Sequence, residues 1–351
     1  MAGRKSAKKE NTLSKNGKGK RKLDNKSEES PSKIVKLSQE CKFKDEFGGV
    51  LQEKYGMALP DDFFLFFDFL VNNNLCLDCT GLKLTGPFDI LSGNLSKDNT
   101  LEKVDYHLHG RCFYDVPEMM TVLYTNDNDG YHISYFRDFP DQMPQLLVSS
   151  KSDVNGELST SGDNIFAAVF LYCKDLLRSA NDKTKIKELN SLCKRIEDKA
   201  TSYGYQLERT TSSHKARNKN VVTKSFHKAG LVVILDENDV GYRELPSSDR
   251  DLRKILQKIV DAKSDSERDS AFDELQEIIT LIQFANDECD YGMGYELGID
   301  LLIFGHEQFR RTILHLLPLA YQLLQRDIYG EILEKHLENR KKDGPISMLS
   351  L

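Results

Sequence analysis

The run Asn286-Asp287-Glu288-Cys289-Asp290-Tyr291-Gly292-Met293-Gly294-Tyr295-Glu296 sets three carboxylates, Asp287, Glu288 and Asp290, into four consecutive positions. Just before it, Leu275, Ile278, Ile279, Ile282 and Phe284 recur at helical spacing, which places the acids at the C-terminus of a helix starting near Asp265. Carboxylates are disfavoured there, because the last carbonyls of a helix already present about half a negative charge. Such departures from local rules gather at functional sites, and a carboxylate held in this way suits a general base or a surface awaiting a cationic partner. A solvated acidic turn would carry the same residues, so these positions alone leave both readings open. Gly292, Gly294 and Gly298 permit positive φ or close approach of another backbone, and Tyr291 and Tyr295 are expected to wall the carboxylates.

A second group lies in Tyr242-Arg243-Glu244-Leu245-Pro246, read as a turn before the next helix. Guanidinium is always charged and forks onto carboxylates, so Arg243 is suited to orient and ionise an acid such as Glu288. Spacing does not show that they meet, and a surface salt bridge worth at most ~1 kcal/mol is the competing reading.

Other chemistry finds little support. Asp236-Glu237-Asn238-Asp239-Val240-Gly241 starts like a calcium loop, but Val240 and Ser247 stand where the fifth and twelfth ligands belong. The three clustered acids offer oxygens to magnesium without a phosphate-binding glycine loop nearby, and no metal is expected. Gly292 to Gly298 follows a helix and is one residue too long for a dinucleotide fingerprint. Cys76 and Cys79 have metal-ligand spacing but lack a second pair. No G-x-S-x-G, Walker or H-E-x-x-H motif occurs, and the alternation of His107 and His109 reads as one face of a strand. What remains is an acid without a complete site around it.

The elements that must position these groups follow from periodicity and turn formers. Phe43 to Tyr55 and Leu59 to Leu70 read as helices, the second with proline in its first turn and a phenylalanine-rich core face. Leu82 to Val148 reads as antiparallel sheet, including a hairpin of Met119 to Tyr124 and Tyr131 to Phe136 about the turn 126–130. Asp163 to Arg178 and Lys185 to Tyr203 are helical; Ser212 to Lys219 reads as a hinge or loop. Short strands at Val221 to Thr223 and Leu231 to Leu235 precede helices at Asp249 to Ala262, Asp265 to Phe284, His306 to Leu324 and Ile328 to Arg340, with the glycine segment 292–298 interposed. The expected class is α+β and two-lobed: an N-terminal domain over 41–205 with an antiparallel sheet flanked by helices, and a mainly helical C-terminal domain over 206–351 with a short hairpin.

Charge divides the chain differently. Residues 1–40 hold 12 Lys/Arg against 5 Asp/Glu, and the remaining 311 hold 37 against 50. The lysine-rich stretch lacks the apolar residues to offset the entropy of ordering and reads as a disordered basic tail. Lys8-Lys9 and Lys20-Arg21-Lys22 have the two-cluster spacing of a nuclear import signal; a polyanion-binding tail is the alternative. An acidic body disfavours DNA binding by the folded part, because duplex affinity comes from Lys/Arg displacing counterions. No apolar run reaches the ~18 residues of a membrane span, the N-terminus does not read as a secretory signal, and the 7 scattered cysteines do not form a disulfide pattern.

Several of these segments are familiar together. Val221-Val222-Thr223-Lys224 with Phe226-His227, Asn238-Asp239-Val240-Gly241-Tyr242-Arg243-Glu244-Leu245-Pro246, and the run from Phe284 to Gly298 closely resemble the histone PARylation factor 1 family. Gly86-Pro87-Phe88-Asp89-Ile90-Leu91, Tyr135-Phe136-Arg137-Asp138 and Leu317-Pro318-Leu319-Ala320-Tyr321 extend the resemblance, which runs from about Tyr55 to Asn339 and leaves out the basic tail. It implies an accessory protein of the DNA damage response that binds the catalytic domain of DNA-break-activated poly(ADP-ribose) polymerases. There it redirects ADP-ribosylation from Asp/Glu to serine, notably on histones.

Carried over, Glu288 matches the family's catalytic base and Arg243 the arginine that supports it, while Asp287, Asp290 and Tyr242 fall at the polymerase-facing surface. The chain itself would bind no cofactor, NAD being held by the polymerase. Histones and poly(ADP-ribose) are further expected partners, and the nucleus, at chromatin near DNA breaks, is the expected location. A serine hydroxyl is a poor nucleophile that needs a base within ~2.6 to 3.2 Å of its proton, whereas an acidic acceptor does not. Two other readings compete: a non-catalytic chromatin or repair binding module, and a free-standing hydrolase, which the lack of a phosphate cradle disfavours.

Overall fold

A computed structural model describes residues 41–95, 104–126 and 129–349. The basic tail with Lys8, Lys9, Lys20, Arg21 and Lys22, and two residues of the expected hairpin turn, lie outside the described residues. The elements run α1 (Lys42–Tyr55), α2 (Asp61–Asn72), β1 (Leu82–Leu84), α3 (Phe88–Leu91), β2 (Met119–Thr125), β3 (Tyr131–Phe136), β4 (Leu146–Lys151), β5 (Asn155–Thr160), α4 (Ile165–Ser179) and α5 (Lys183–Tyr203). They continue with α6 (Ser212–Asn218), β6 (Val221–Thr223), β7 (Leu231–Val232), α7 (Asp249–Asp261), α8 (Asp265–Asp287), α9 (Gly292–Phe304), α10 (Arg310–Leu323) and α11 (Asp327–Asn339). Strands β1 to β5 form one antiparallel meander in chain order, and β6 pairs with β7. The expectation of a mixed α+β fold is met.

The phenylalanines of α2 are core residues: Phe63 stacks on Phe88 at 4.2 Å, and Phe66 meets Phe166 of α4 edge-on at 5.3 Å. Pro60 is the N-cap of α2 and not a first-turn residue. Asp62 is buried and accepts from the Tyr135 phenol and the Ile165 N–H, both at 2.7 Å, so one acid ties α2 to β3 and to the start of α4. Burial pushes its carboxyl up to about 6 against the pull of those two donors.

Three further sequence expectations need correction. Residues 212–218 are helix α6: Thr211 caps it by accepting the His214 N–H, and its Arg217 is buried in a bidentate pair with Asp138 at 2.7 Å. Lysine and serine made the segment look like a loop; one anchored arginine overrides that composition. The glycine run 292–298 is not interposed between helices but is the start of α9. His107 and His109 lie in turns, not on a strand, with the buried His109 ring 2.9 Å from Asp89.

The described residues all lie in one compact unit. The boundary expected near 206 falls between α5 and α6, and buried polar contacts cross it. Glu118 accepts from the phenols of Tyr295 at 2.5 Å and Tyr321 at 2.9 Å, while the Tyr329 phenol donates to the Arg137 carbonyl at 2.8 Å. Among the described residues, no helix is long and apolar enough to cross a membrane.

Candidate functional site

The end of α8 explains where its acids point. Glu288 is the C-cap, and Cys289 takes a left-handed φ of 67°. The Cys289 N–H then bonds the Asn286 carbonyl at 3.1 Å and the Asp290 N–H bonds Ala285 at 2.8 Å, the pairing that closes a helix when its C′ residue turns left-handed. Glycine normally fills that position, but cysteine does here. The reversal throws Glu288 outward and Asp290 inward: their side chains are 60% and 11% exposed. Asp287 and Cys289 are exposed as well.

Arg243 meets both acids. Its Nη2 bonds Glu288 Oε2 and lies 2.9 Å from Asp290 Oδ2. The guanidinium therefore supplies the positive charge that the helix end lacks, and the Glu288 carboxylate holds it above its ordinary value. The crowding of acids is compensated from within the chain, on an open surface where Arg243 itself is 46% exposed.

The turn that carries Arg243 is bolted to α9. Gly292 N–H donates to the Gly241 carbonyl at 2.8 Å, and Gly241 N–H donates to Asp290 Oδ1 at 3.0 Å. A Cβ on Gly292 would stand 2.9 Å from that carbonyl and from the Tyr242 ring, and one on Gly298 would stand 2.8 Å from the Leu317 Cβ. Of the two uses glycine offers, this helix takes close approach; none of its glycines has positive φ. The Tyr242 phenol donates to Glu296 Oε2 at 2.9 Å. Tyr291 stays partly exposed near the acids, but Tyr295 is buried and bonded to Glu118, so it does not wall the carboxylates as expected.

Sequence reasoning brought Glu288, Arg243, Asp287, Asp290 and Tyr242 forward; the fold joins Arg243 to Glu288 and Asp290, leaves Asp287 exposed beside them and turns the Tyr242 phenol to Glu296. It missed Glu296 and Asp300, acids one turn apart on an otherwise apolar helix. Asp300 accepts from the Ser225 hydroxyl at 2.6 Å and the Phe226 N–H at 2.7 Å, which pins the loop between β6 and β7. Two carboxylates four residues apart inside an apolar run were the available signal.

Among the described residues, the side chains of Cys112, Asp115 and His132 bring possible metal-ligand atoms within 4.8 Å of one another, all buried. Asp115 and His132 are already partnered. Asp115 accepts from His132 Nε2 at 2.9 Å, the Cys112 N–H at 3.0 Å and the Thr121 hydroxyl at 2.6 Å. Against the upward push of burial, these partners hold the Asp115 carboxyl at about 2. The cluster therefore behaves as a buried ion pair. Cys76 is exposed and Cys79 half-buried, both as free thiols.

Fold and site together define a mixed α+β protein that presents an arginine-braced carboxylate on an open surface. The family model described as histone PARylation factor 1 matches residues 48–340. A zebrafish (Danio rerio) protein of that name is 44% identical over 344 residues, covering 93% of this chain and 97% of its own length. A mouse (Mus musculus) protein of the same name is 42% identical over 300 residues, with 84% and 87% covered. A human (Homo sapiens) protein named putative histone PARylation factor 1-like is 40% identical over 300 residues, covering 84% and 86%. The chain belongs to the histone PARylation factor 1 family.

Proposed function

We propose that this chain acts as an accessory factor of poly(ADP-ribose) polymerase, lending Glu288 as the general base that lets serine, on histones and other chromatin proteins, accept ADP-ribose. The observation that carries the reading is the state of Glu288: a carboxylate 60% exposed, braced by an Arg243 that is itself 46% exposed. A base needs its substrate proton within ~3 Å, and an open surface holds no substrate there unless a partner covers it. The polymerase supplies NAD and the cover; this chain supplies the carboxylate.

Asp287, exposed beside Glu288, and Tyr242 are read as contacts to the polymerase. Asp290 is already engaged by Gly241 and Arg243, so its contribution is to hold Arg243 in place. The basic clusters at Lys8-Lys9 and Lys20-Arg21-Lys22 direct the chain to the nucleus, where broken chromatin supplies both the activated polymerase and the histone acceptors.

The test combines the full chain, a DNA-activated polymerase, labelled NAD and a histone peptide with a Lys-Ser pair. Glu288→Gln is expected to lower serine labelling roughly 100-fold or more while co-sedimentation with the polymerase persists. Undiminished serine labelling with that variant would leave a binding module without chemistry.

A further inference from the structure

Glu296 lies one helical turn beyond Gly292 and is 4% exposed. Its two oxygens are claimed by two separate segments. The Thr223 hydroxyl of β6 donates to Oε1 at 2.7 Å, and the Tyr242 phenol of the arginine-bearing turn donates to Oε2 at 2.9 Å. Burying a carboxylate against neutral donors is unfavourable, and burial pushes Glu296 up while Thr223 and Tyr242 pull it down. An apolar side chain would fill the space without that penalty, so a purely space-filling role accounts poorly for an acid here.

The acid does join things that apolar packing would leave free to slide. Tyr242 immediately precedes Arg243, and its ring rests against the Gly292 backbone, where a Cβ would come within 2.9 Å of it. The hydrogen bond to Glu296 fixes the far end of that ring. Contact at Gly292 and the bond at Glu296 together fix both ends of the Tyr242 side chain on α9. The backbone from which Arg243 reaches Glu288 is thereby set by a residue that touches neither of them.

We propose that Glu296 is a positioning residue of the Arg243–Glu288 pair, acting through the Tyr242 phenol. The inference rests on the reading above that this pair is the working group, and it extends that reading from the surface into α9.

Tyr242→Phe removes one hydroxyl and keeps the ring, so it tests the link without emptying the core. Glu296→Leu removes the acceptor, and Glu296→Gln keeps an oxygen for it. On the chain alone, nitrogen-15 NMR of the Arg243 guanidinium, assigned by its loss in Arg243→Lys, is expected to show separate Nη resonances. These should merge in Tyr242→Phe and in Glu296→Leu and stay separate in Glu296→Gln. In the polymerase assay, with polymerase raised until binding is saturated, each of the two disruptive variants is expected to lower serine transfer roughly tenfold to a hundredfold. The double variant should be no slower than the worse single, because both cut the same link.

Unmerged resonances in Tyr242→Phe, or a double variant slowed by the product of the singles, would overturn the positioning role. A wild-type chain that supports no serine transfer, with resonances that still merge in Tyr242→Phe, would defeat the proposed function and uphold the link from Glu296 to Arg243.

Discussion

At the residue scale, several carboxylates hold another segment of the chain, and the Glu288 side chain does not. Asp62, Asp290, Glu296 and Asp300 each accept from another segment, whereas Glu288 meets a single side chain that is itself half in solvent. Asp300 is the most exacting of the holders: burial pushes its carboxyl up to about 7 despite the Ser225 and Phe226 donors, and its second oxygen is buried without a partner. Because its folded value lies above its unfolded one, the folded chain binds more protons between about pH 4 and 7. Stability is therefore lost as pH rises through that window and levels off above it. Asp300→Asn, which stays neutral, is expected to remove a loss on the order of a few kcal/mol, read as the difference in urea midpoints between pH 5 and pH 8. Equal midpoint changes in the variant and the parent would refute the assignment. Little of this was legible in advance, because a helix-end acid breaks a local rule whereas an acid inside an apolar helix is explained only by what packs against it.

At the scale of elements, α9 governs the site, and its misreading is instructive. Gly292, Gly294 and Gly298 lower helix propensity enough that the segment reads as a connection, yet Gly292 and Gly298 each let a neighbour approach closer than a Cβ would allow. The two kinds of contact differ in tightness. A Cβ at Gly298 meets the Leu317 Cβ at 2.8 Å, while one at Gly294 meets only the Ile282 methyl at 3.1 Å. Gly298→Ala is expected to destabilise by ~1 to 3 kcal/mol through overpacking. Gly294→Ala should fall well below that, since the helix-propensity gain of ~1 kcal/mol opposes a milder clash. Chemical denaturation of the two variants checks the ranking, and equal losses would mean that α10 yields freely at Leu317. The helices and hairpins with clear periodicity, by contrast, were readable to within a few residues: the expected Met119 to Tyr124 strand is Met119–Thr125, and the expected helix from Asp249 is Asp249–Asp261. α6 was missed for the same reason as α9, a tertiary anchor that composition does not announce.

At the scale of the molecule, buried polar bonds stitch the sheet to the later helices. Glu118 receives two phenols from α9 and α10, and Asp138, just past β3, holds Arg217 of α6 by two bonds. Removing one partner of such a pair leaves a buried charge, so Arg217→Met is expected to destabilise by ~3 to 5 kcal/mol. The loss should appear at one midpoint by both far-ultraviolet circular dichroism and tyrosine fluorescence; separate midpoints would mean that the two parts unfold independently. The same connectedness bears on the surface that carries Glu288. Cys289 spends its left-handed conformation on reversing the chain after α8, and that reversal is stapled to Ala285, Asn286 and, through Asp290, to Gly241. A protein arriving at this face finds the carboxylate already aimed. Docking then requires little ordering of this partner, so complex formation should follow a single concentration-dependent phase whose rate is set by encounter rather than by a slow rearrangement of this chain.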